Sequence, residues 1–203
     1  MTDLRQVGPE VFFVQGDIAN ITQADVEFLK ERALESPRRR ARLCIHRALE
    51  EPLHDMVIVL ARGAYVRPHK HLAKTESFQI VQGEMAVFLL DEEGRPEARI
   101  DMAERSTGKP FLHRLSLNKF HCMVPLADFV AFHEATTGPF RDDESIWADW
   151  APAETADPRL RQAYVSCLLA APIKLPLGTP RAIPALQLWR ACLAPLLRAG
   201  DRR

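Results

Sequence analysis

At 203 residues the chain is long enough to bury a sizeable core as one domain with additions. Lysine plus arginine and aspartate plus glutamate both number 27, so the formal net charge is zero, which argues against broad electrostatic binding to nucleic acid or to an anionic membrane. The N-terminal MTDLRQVGPEVFFVQG carries no basic stretch followed by a long apolar run, and no apolar run in the chain approaches a membrane span. The four cysteines, Cys44, Cys122, Cys167 and Cys192, form no CxxC pair and suggest no disulfide framework; a reducing cytoplasm fits that usage.

Residues 1–20 read as a short extended arm in which Val11, Phe12, Phe13 and Val14 form an edge strand. TQADVEFLKERALES then predicts a helix, with Thr22 as N-cap, Asp25 three residues on, an apolar stripe of Val26, Leu29 and Ala33, and Pro37 as the stop. From about 38 to 135 the period changes to short apolar or alternating runs: RARLCIH, DMVIVLA, SFQIVQG, MAVFLLD, HCMVPL and FVAFHEA. Turn signals such as DEEG at 91–94 and TG at 107–108 separate them. Short strands at regular spacing, with no crossover helix between them, predict an all-β sandwich or barrel.

After GPF at 138–140 the composition shifts, and DESIWADWAPAETADP reads as an acidic strap over the surface. Residues 158–171 and 185–199 carry helical patterns, separated by PIKLPLGTPRAIP, which is too proline-rich for a regular element. Leu186, Trp189, Leu193 and Leu197 make one apolar face of the second pattern, which predicts packing on the barrel or on a second subunit. The organisation expected is an arm and helix over 1–37, a barrel over 38–152 and a helical extension over 153–203.

The residues that carry chemistry lie in PHKHLAKTESFQIVQG. In a strand, residues i and i+2 share a face, so His69 and His71 point together, and Glu76 starts the next strand close by. His121 in LNKFHCMVP supplies a fourth candidate. Three imidazoles and one carboxylate suit a divalent first-row metal such as Fe, Zn, Mn, Ni or Cu, with positions left for water or substrate. Gly63 and Gly83 bracket the set, where a strand corner needs positive φ or close backbone approach. Strand parity turns Cys122 away from the metal and into the core.

The spacing Gly63, five residues, His69, one, His71, four, Glu76, six, Gly83 resembles the first motif of the cupin superfamily at every fixed position. SLNKFHCMV stands where the second motif would be. Its histidine is kept, but Ser116, Asn118 and Pro125 replace the usual proline, glycine and asparagine. The resemblance implies a cupin jelly-roll barrel, with an N-terminal helix and a helical C-terminal extension around it.

SPRRRARLCIH is the next unusual stretch. As a strand, it puts Arg39, Ala41, Leu43 and Ile45 on one face and Arg38, Arg40, Arg42, Cys44 and His46 on the other. By parity alone the second face is either solvated or an anion-binding lining of the barrel mouth. RRRARLCIH, DMVIVL, YVRPHKH, KTESF, VQG, HEATTGPF and WADWAP, in this order, are similar to the WbuC-type cupin-fold metalloproteins, over roughly residues 10–152. Some of those bacterial proteins are associated with O-antigen and surface-polysaccharide gene clusters. The resemblance implies a cytoplasmic metal-binding jelly roll, with Arg40, Arg42 and His46 in the site region. Tyr65 and Arg67 share the face of His69 and His71, Lys74 lies in the loop before Glu76, and Glu134 points inward beside Phe132 and Val130.

Three functions remain open on this reading. One is an enzyme acting on a sugar or sugar nucleotide. In it the metal serves as Lewis acid, Arg40, Arg42, Arg67 and Lys74 hold an anionic group, and His46, Tyr65 or Glu134 moves a proton. The second is an Fe(II)-dependent dioxygenase, and the third a non-catalytic metal or metabolite binder. No helix-turn-helix signature supports DNA binding. Exposed sheet edges, together with the resemblance, imply a homodimer.

Overall fold

The computed structural model describes residues 3–116, 118–141 and 144–173. Ten strands form one continuous sheet: β1 (Leu4–Gly8), β2 (Val11–Val14), β3 (Arg40–Cys44), β4 (Leu53–Ala61), β5 (His69–His71), β6 (Glu76–Leu90), β7 (Pro96–Ala103), β8 (Leu112–Leu115), β9 (Phe120–Thr137) and β10 (Ser145–Trp147). Two α-helices accompany them among the described residues, α1 (Gln23–Glu35) and α2 (Pro158–Ala170), with one 3-10 turn at Arg105–Thr107. All pairings are antiparallel except β2 with β3. This is the expected all-β jelly-roll barrel. No helix among the described residues is long and apolar enough to cross a membrane.

The long strands β6 and β9 run through both walls of the barrel, and their side-chain alternation changes phase midway. In β6, Phe78 and Ile80 point into the inner core, but so do Met85 and Val87. In β9 the inner residues are Met123, then Val130 and Phe132. The β6–β9 register slips between Ile80 and Gln82 and again between Gly83 and Met85, and these bulges turn both strands from one wall into the other. Gly83 sits at the bend with φ +84, and a Cβ there would lie 2.2 Å from the Phe129 carbonyl oxygen. Only glycine meets both demands.

Each outer wall is covered by a helix. Val26, Leu29 and Ala33 of α1 pack on Leu43, Val57, Val59 and Ala131. The helix starts as its sequence predicts, with the Asp25 carboxylate accepting from the Thr22 amide at 2.8 Å and hydroxyl at 2.7 Å. On the other wall, Tyr164, Val165 and Leu168 of α2 cover Phe88, Leu90, Cys122 and Val124, so Cys122 does face away from the inner cavity.

Several expectations are corrected. β2 is not the edge: it lies between β1 and β3, and β1 is the terminal strand. The basic strand is shorter than 38–46. Arg39 takes a left-handed conformation (φ 54) just before it, and beyond it the Ile45 and His46 amides both turn to the Asp55 carbonyl. The acidic strap contains a strand, β10, paired with β5. Cys167 is disulfide-bonded, against the expectation of no disulfide framework, so cysteine usage no longer argues for a reducing compartment. The apolar face built on Leu186, Trp189, Leu193 and Leu197 lies outside the described residues.

Arg40 is tied into an ion network rather than open for substrate. Its guanidinium meets Glu10 at 3.1 Å and Glu154 at 3.4 Å, and Arg38 bonds the same two carboxylates. Glu10 is buried and also accepts from Ser36 Oγ at 2.6 Å. The network fastens the β1–β2 turn to the segment after β10. Because it is partly exposed, Arg40→Ala is expected to destabilise by only about 1 kcal/mol in chemical denaturation. Metal content should be unchanged; a loss of bound metal would return Arg40 to the site.

Candidate metal centre

Two strands bring the histidines together. β5 presents His69 and His71 on one face, and β9 pairs with it through a His69–His121 register. The ligating atoms of His69, His71 and His121 lie within 4.8 Å of one another, a cluster that can hold a metal ion. Each ring is aimed through its Nδ1. His69 Nδ1 lies 2.9 Å from the Arg67 carbonyl, His121 Nδ1 3.1 Å from the Lys119 carbonyl, and His71 Nδ1 2.9 Å from Ser145 Oγ. A proton on each Nδ1 donates to that oxygen, which leaves the three Nε2 lone pairs for the centre.

Glu76, the first residue of β6, completes the group. Its Oε1 lies 3.0 Å from His71 Nε2 and its Oε2 3.0 Å from His121 Nε2. The carboxylate is buried, yet neither Oε2 nor His121 Nε2 has a hydrogen-bond partner. Two buried acceptors facing each other repel unless a cation lies between them, a shared metal ion when one is bound or a proton when none is. Two donors sharing one first-row divalent ion at about 2.1 Å each also sit about 3 Å apart. The residues fit a metal.

The surrounding electrostatics agree. Burial, and then the charge on His121, push the His69 imidazolium down to about 3, so His69 stays a free ligand at neutral pH. Burial alone would raise the Glu76 carboxyl, but contacts with His121 and His71 carry it well below the ordinary range. Glu134 lies on the same inner face: its cross-strand partners are Met56 and Phe78, one row from the Thr136–Glu76 pair. Burial and the Glu76 charge raise it to about 8, against the pull of Arg42 and Lys74. Lys74 lies near the ring of Phe140, 5.1 Å from its centroid, and 3.7 Å from Glu144.

The structure thus brings His69, His71, Glu76, His121 and Glu134 together and places Arg42 and Lys74 within electrostatic reach of Glu134. Arg42 is exposed, in register with Ile58 on the inner face, and its guanidinium makes no hydrogen bond or ion pair among the described residues. Besides Arg40, three expected site residues lie elsewhere. Tyr65 is buried under α2, donating to the Pro152 carbonyl at 2.7 Å and packed against Tyr164. The Arg67 guanidinium grips the Ala148 carbonyl, with Nε at 2.9 Å, and so holds the strap. His46 is buried in a stack with His54, 4.2 Å between centroids, and its Nδ1 meets the Asp55 backbone.

Three residues at the centre escaped the sequence reading. Ser145 orients His71, and Trp147 packs its ring 5.0 Å from that of His69. His113 of β8 stacks on Phe78, and its charge interacts with that of His121. Only His113 carried a usable signal, as a histidine in an alternating run.

Protonation gives a prediction with a defined sign. Burial lowers His46, His69 and His113, so each binds a proton more readily when unfolded. Their stabilisation is present above the unfolded value, about 6.5, and is lost as pH falls below it. Raised Glu134 acts oppositely: its contribution is full below the unfolded carboxyl value and is lost as pH rises through about 8. Below about pH 6.5 three protons oppose one, so the histidines win. Metal-stripped protein is expected to melt highest near about pH 6.5. Glu134→Gln should remove the decline on the alkaline side. A melting temperature that keeps rising to pH 8.5 in the unaltered chain would contradict this.

Residues 21–102, fewer than half of the chain, match a family model described as a domain of unknown function, DUF6016. No curated protein matches. Among solved structures, a protein from Shewanella oneidensis is similar over 54% of this chain and 73% of its own, at 11% identity and TM-score 0.46. Oxalate decarboxylase from Bacillus subtilis is similar at 23% identity over 48% of this chain, TM-score 0.39, and the match spans only 24% of that enzyme's length. KdgF from Halomonas sp. is similar at 24% identity over 53% of this chain and 84% of its own, TM-score 0.38. Strand order, the two bulged strands and the converging histidines define a jelly-roll barrel with a candidate metal centre.

Proposed function

We propose that the chain is a divalent-metal-dependent cupin that binds a small anionic, sugar-like ligand and acts on a sugar or sugar nucleotide of bacterial surface-polysaccharide metabolism. The observation that carries the metal is the buried pair of His121 Nε2 and Glu76 Oε2, 3.0 Å apart and neither with a hydrogen-bond partner. His69, His71, Glu76 and His121 would hold the ion, which when bound supplies Lewis-acid polarisation of a carbonyl or hydroxyl oxygen. Glu134, raised to about 8, keeps its proton at neutral pH on the same inner face and can pass it to a ligand oxygen. Arg42, without a partner among the described residues, offers a guanidinium fork to a carboxylate or phosphate, and Lys74 adds a point charge. The sugar class and the O-antigen setting are supported by the resemblance to WbuC-type proteins. A homodimer is supported by the open edge of β1, whose outer face is mostly exposed.

The test is metal analysis of the full chain purified without oxygen. About one equivalent of Zn, Mn or Ni supports the Lewis-acid reading. Tight iron with oxygen uptake would favour a dioxygenase instead, and a His69→Ala, His121→Ala variant that keeps stoichiometric metal would overturn the assignment.

A further inference from the structure

The rim of the metal centre carries an aromatic side chain that the reading above does not use. In β10, Ser145 pairs with His71 and Trp147 with His69, while Ile146 pairs with Lys70 on the opposite face. Cross-strand partners share a face, and Ser145 proves it here by reaching His71 Nδ1. The Trp147 indole therefore stands on the face that carries the imidazoles, with its ring 5.0 Å from His69 at 40°. It is nevertheless 46% exposed.

That exposure is not the looseness of an unsupported loop. The Ala148 amide donates to the Pro68 carbonyl at 2.9 Å, and Arg67 grips the Ala148 carbonyl. At the other end of β10, the Leu72 amide donates to the Glu144 carbonyl at 3.1 Å. The backbone is thus fixed on both sides of the indole, so the aromatic surface is held ready beside the first metal ligand. An indole face carries negative π density and attracts partly positive C–H groups as well as apolar area. A pyranose ring presents such a C–H face and carries hydroxyl or acid oxygens at its edge. The Arg42 guanidinium, which has no side-chain partner among the described residues, favours an acidic edge.

We infer that Trp147 is the stacking platform that selects a pyranose ring over ringless anions at the His69–His71–His121 centre. This rests on the proposed metal site and deepens it by naming the shape of the ligand.

The experiment is calorimetric titration of metal-loaded full-length protein with glucuronate and glucose 1-phosphate, and with their ringless counterparts acetate and inorganic phosphate. Metal content is measured on every sample. Trp147→Ala should keep its metal and lose at least about tenfold in affinity for a pyranose probe, while Trp147→Phe loses less. The ringless probes should bind all three proteins alike. Unchanged pyranose affinity in Trp147→Ala with metal intact overturns the inference. So does wild-type holoprotein that binds neither pyranose, or a Trp147→Ala protein whose only change is its association state, which would make the indole a contact between copies. Background metal in the wild type overturns the metal reading instead.

Discussion

His121→Ala is expected to abolish metal retention and to destabilise even the metal-free protein by about 3 kcal/mol or more. The reason is Glu76. Its buried carboxylate is held charged by two imidazoles at 3.0 Å each. Removing one partner of a buried charged group leaves the other uncompensated. In the presence of metal the gap widens, because binding to the folded state adds about 4 kcal/mol at a thousandfold excess over Kd. The two contributions separate in a double substitution. His121→Ala with Glu76→Gln should recover much of the metal-free stability but none of the metal-dependent part. Denaturation curves with and without chelator would show it. A single variant as stable as the wild type in chelator would mean that Glu76 is not held by this pair.

Gly83→Ala is expected to damage the barrel severely, by about 4 kcal/mol or to outright failure to fold. Two effects add there: a left-handed backbone and a Cβ driven to 2.2 Å from the Phe129 carbonyl oxygen. Gly63 is the control. It also has positive φ (+87), but its nearest neighbour to an added Cβ is Arg39 Cδ at 3.6 Å, an ordinary contact. Gly63→Ala should therefore cost only about 1 kcal/mol. Equal melting temperatures for the two variants would remove the steric part of the argument.

The pair also shows what the sequence made legible. The spacing of Gly63, His69, His71, Glu76 and Gly83 is local, and local spacing fixes which side chains leave a strand together. Helix α1 was legible for the same reason, since its cap and apolar stripe lie within one short window. Parity failed where the backbone stopped alternating. Tyr65 and Arg67 were assigned the face of His69, but residues 62–68 form no strand, so i and i+2 need not agree. His46 was assigned the face of Arg42, yet the strand ends at Cys44 and a bulged pair of amides follows. Arg40 failed differently: its carboxylate partners, Glu10 and Glu154, come from remote parts of the chain. Ser145 and Trp147 were invisible because three residues carry too little pattern to announce a strand, and the partner strand is distant.

That distance has a consequence for how the protein matures. All four candidate ligands lie before residue 122, but the hydroxyl that aims His71 lies 74 residues after that histidine, on β10, the last of the described strands in chain order. A chain emerging from the ribosome therefore holds its ligands well before it can orient them. Contacts this far apart in sequence form late, after the loop between them has closed. Ion loading should accordingly follow completion of the barrel rather than template it, with the closing of β10 as the step that makes the centre competent.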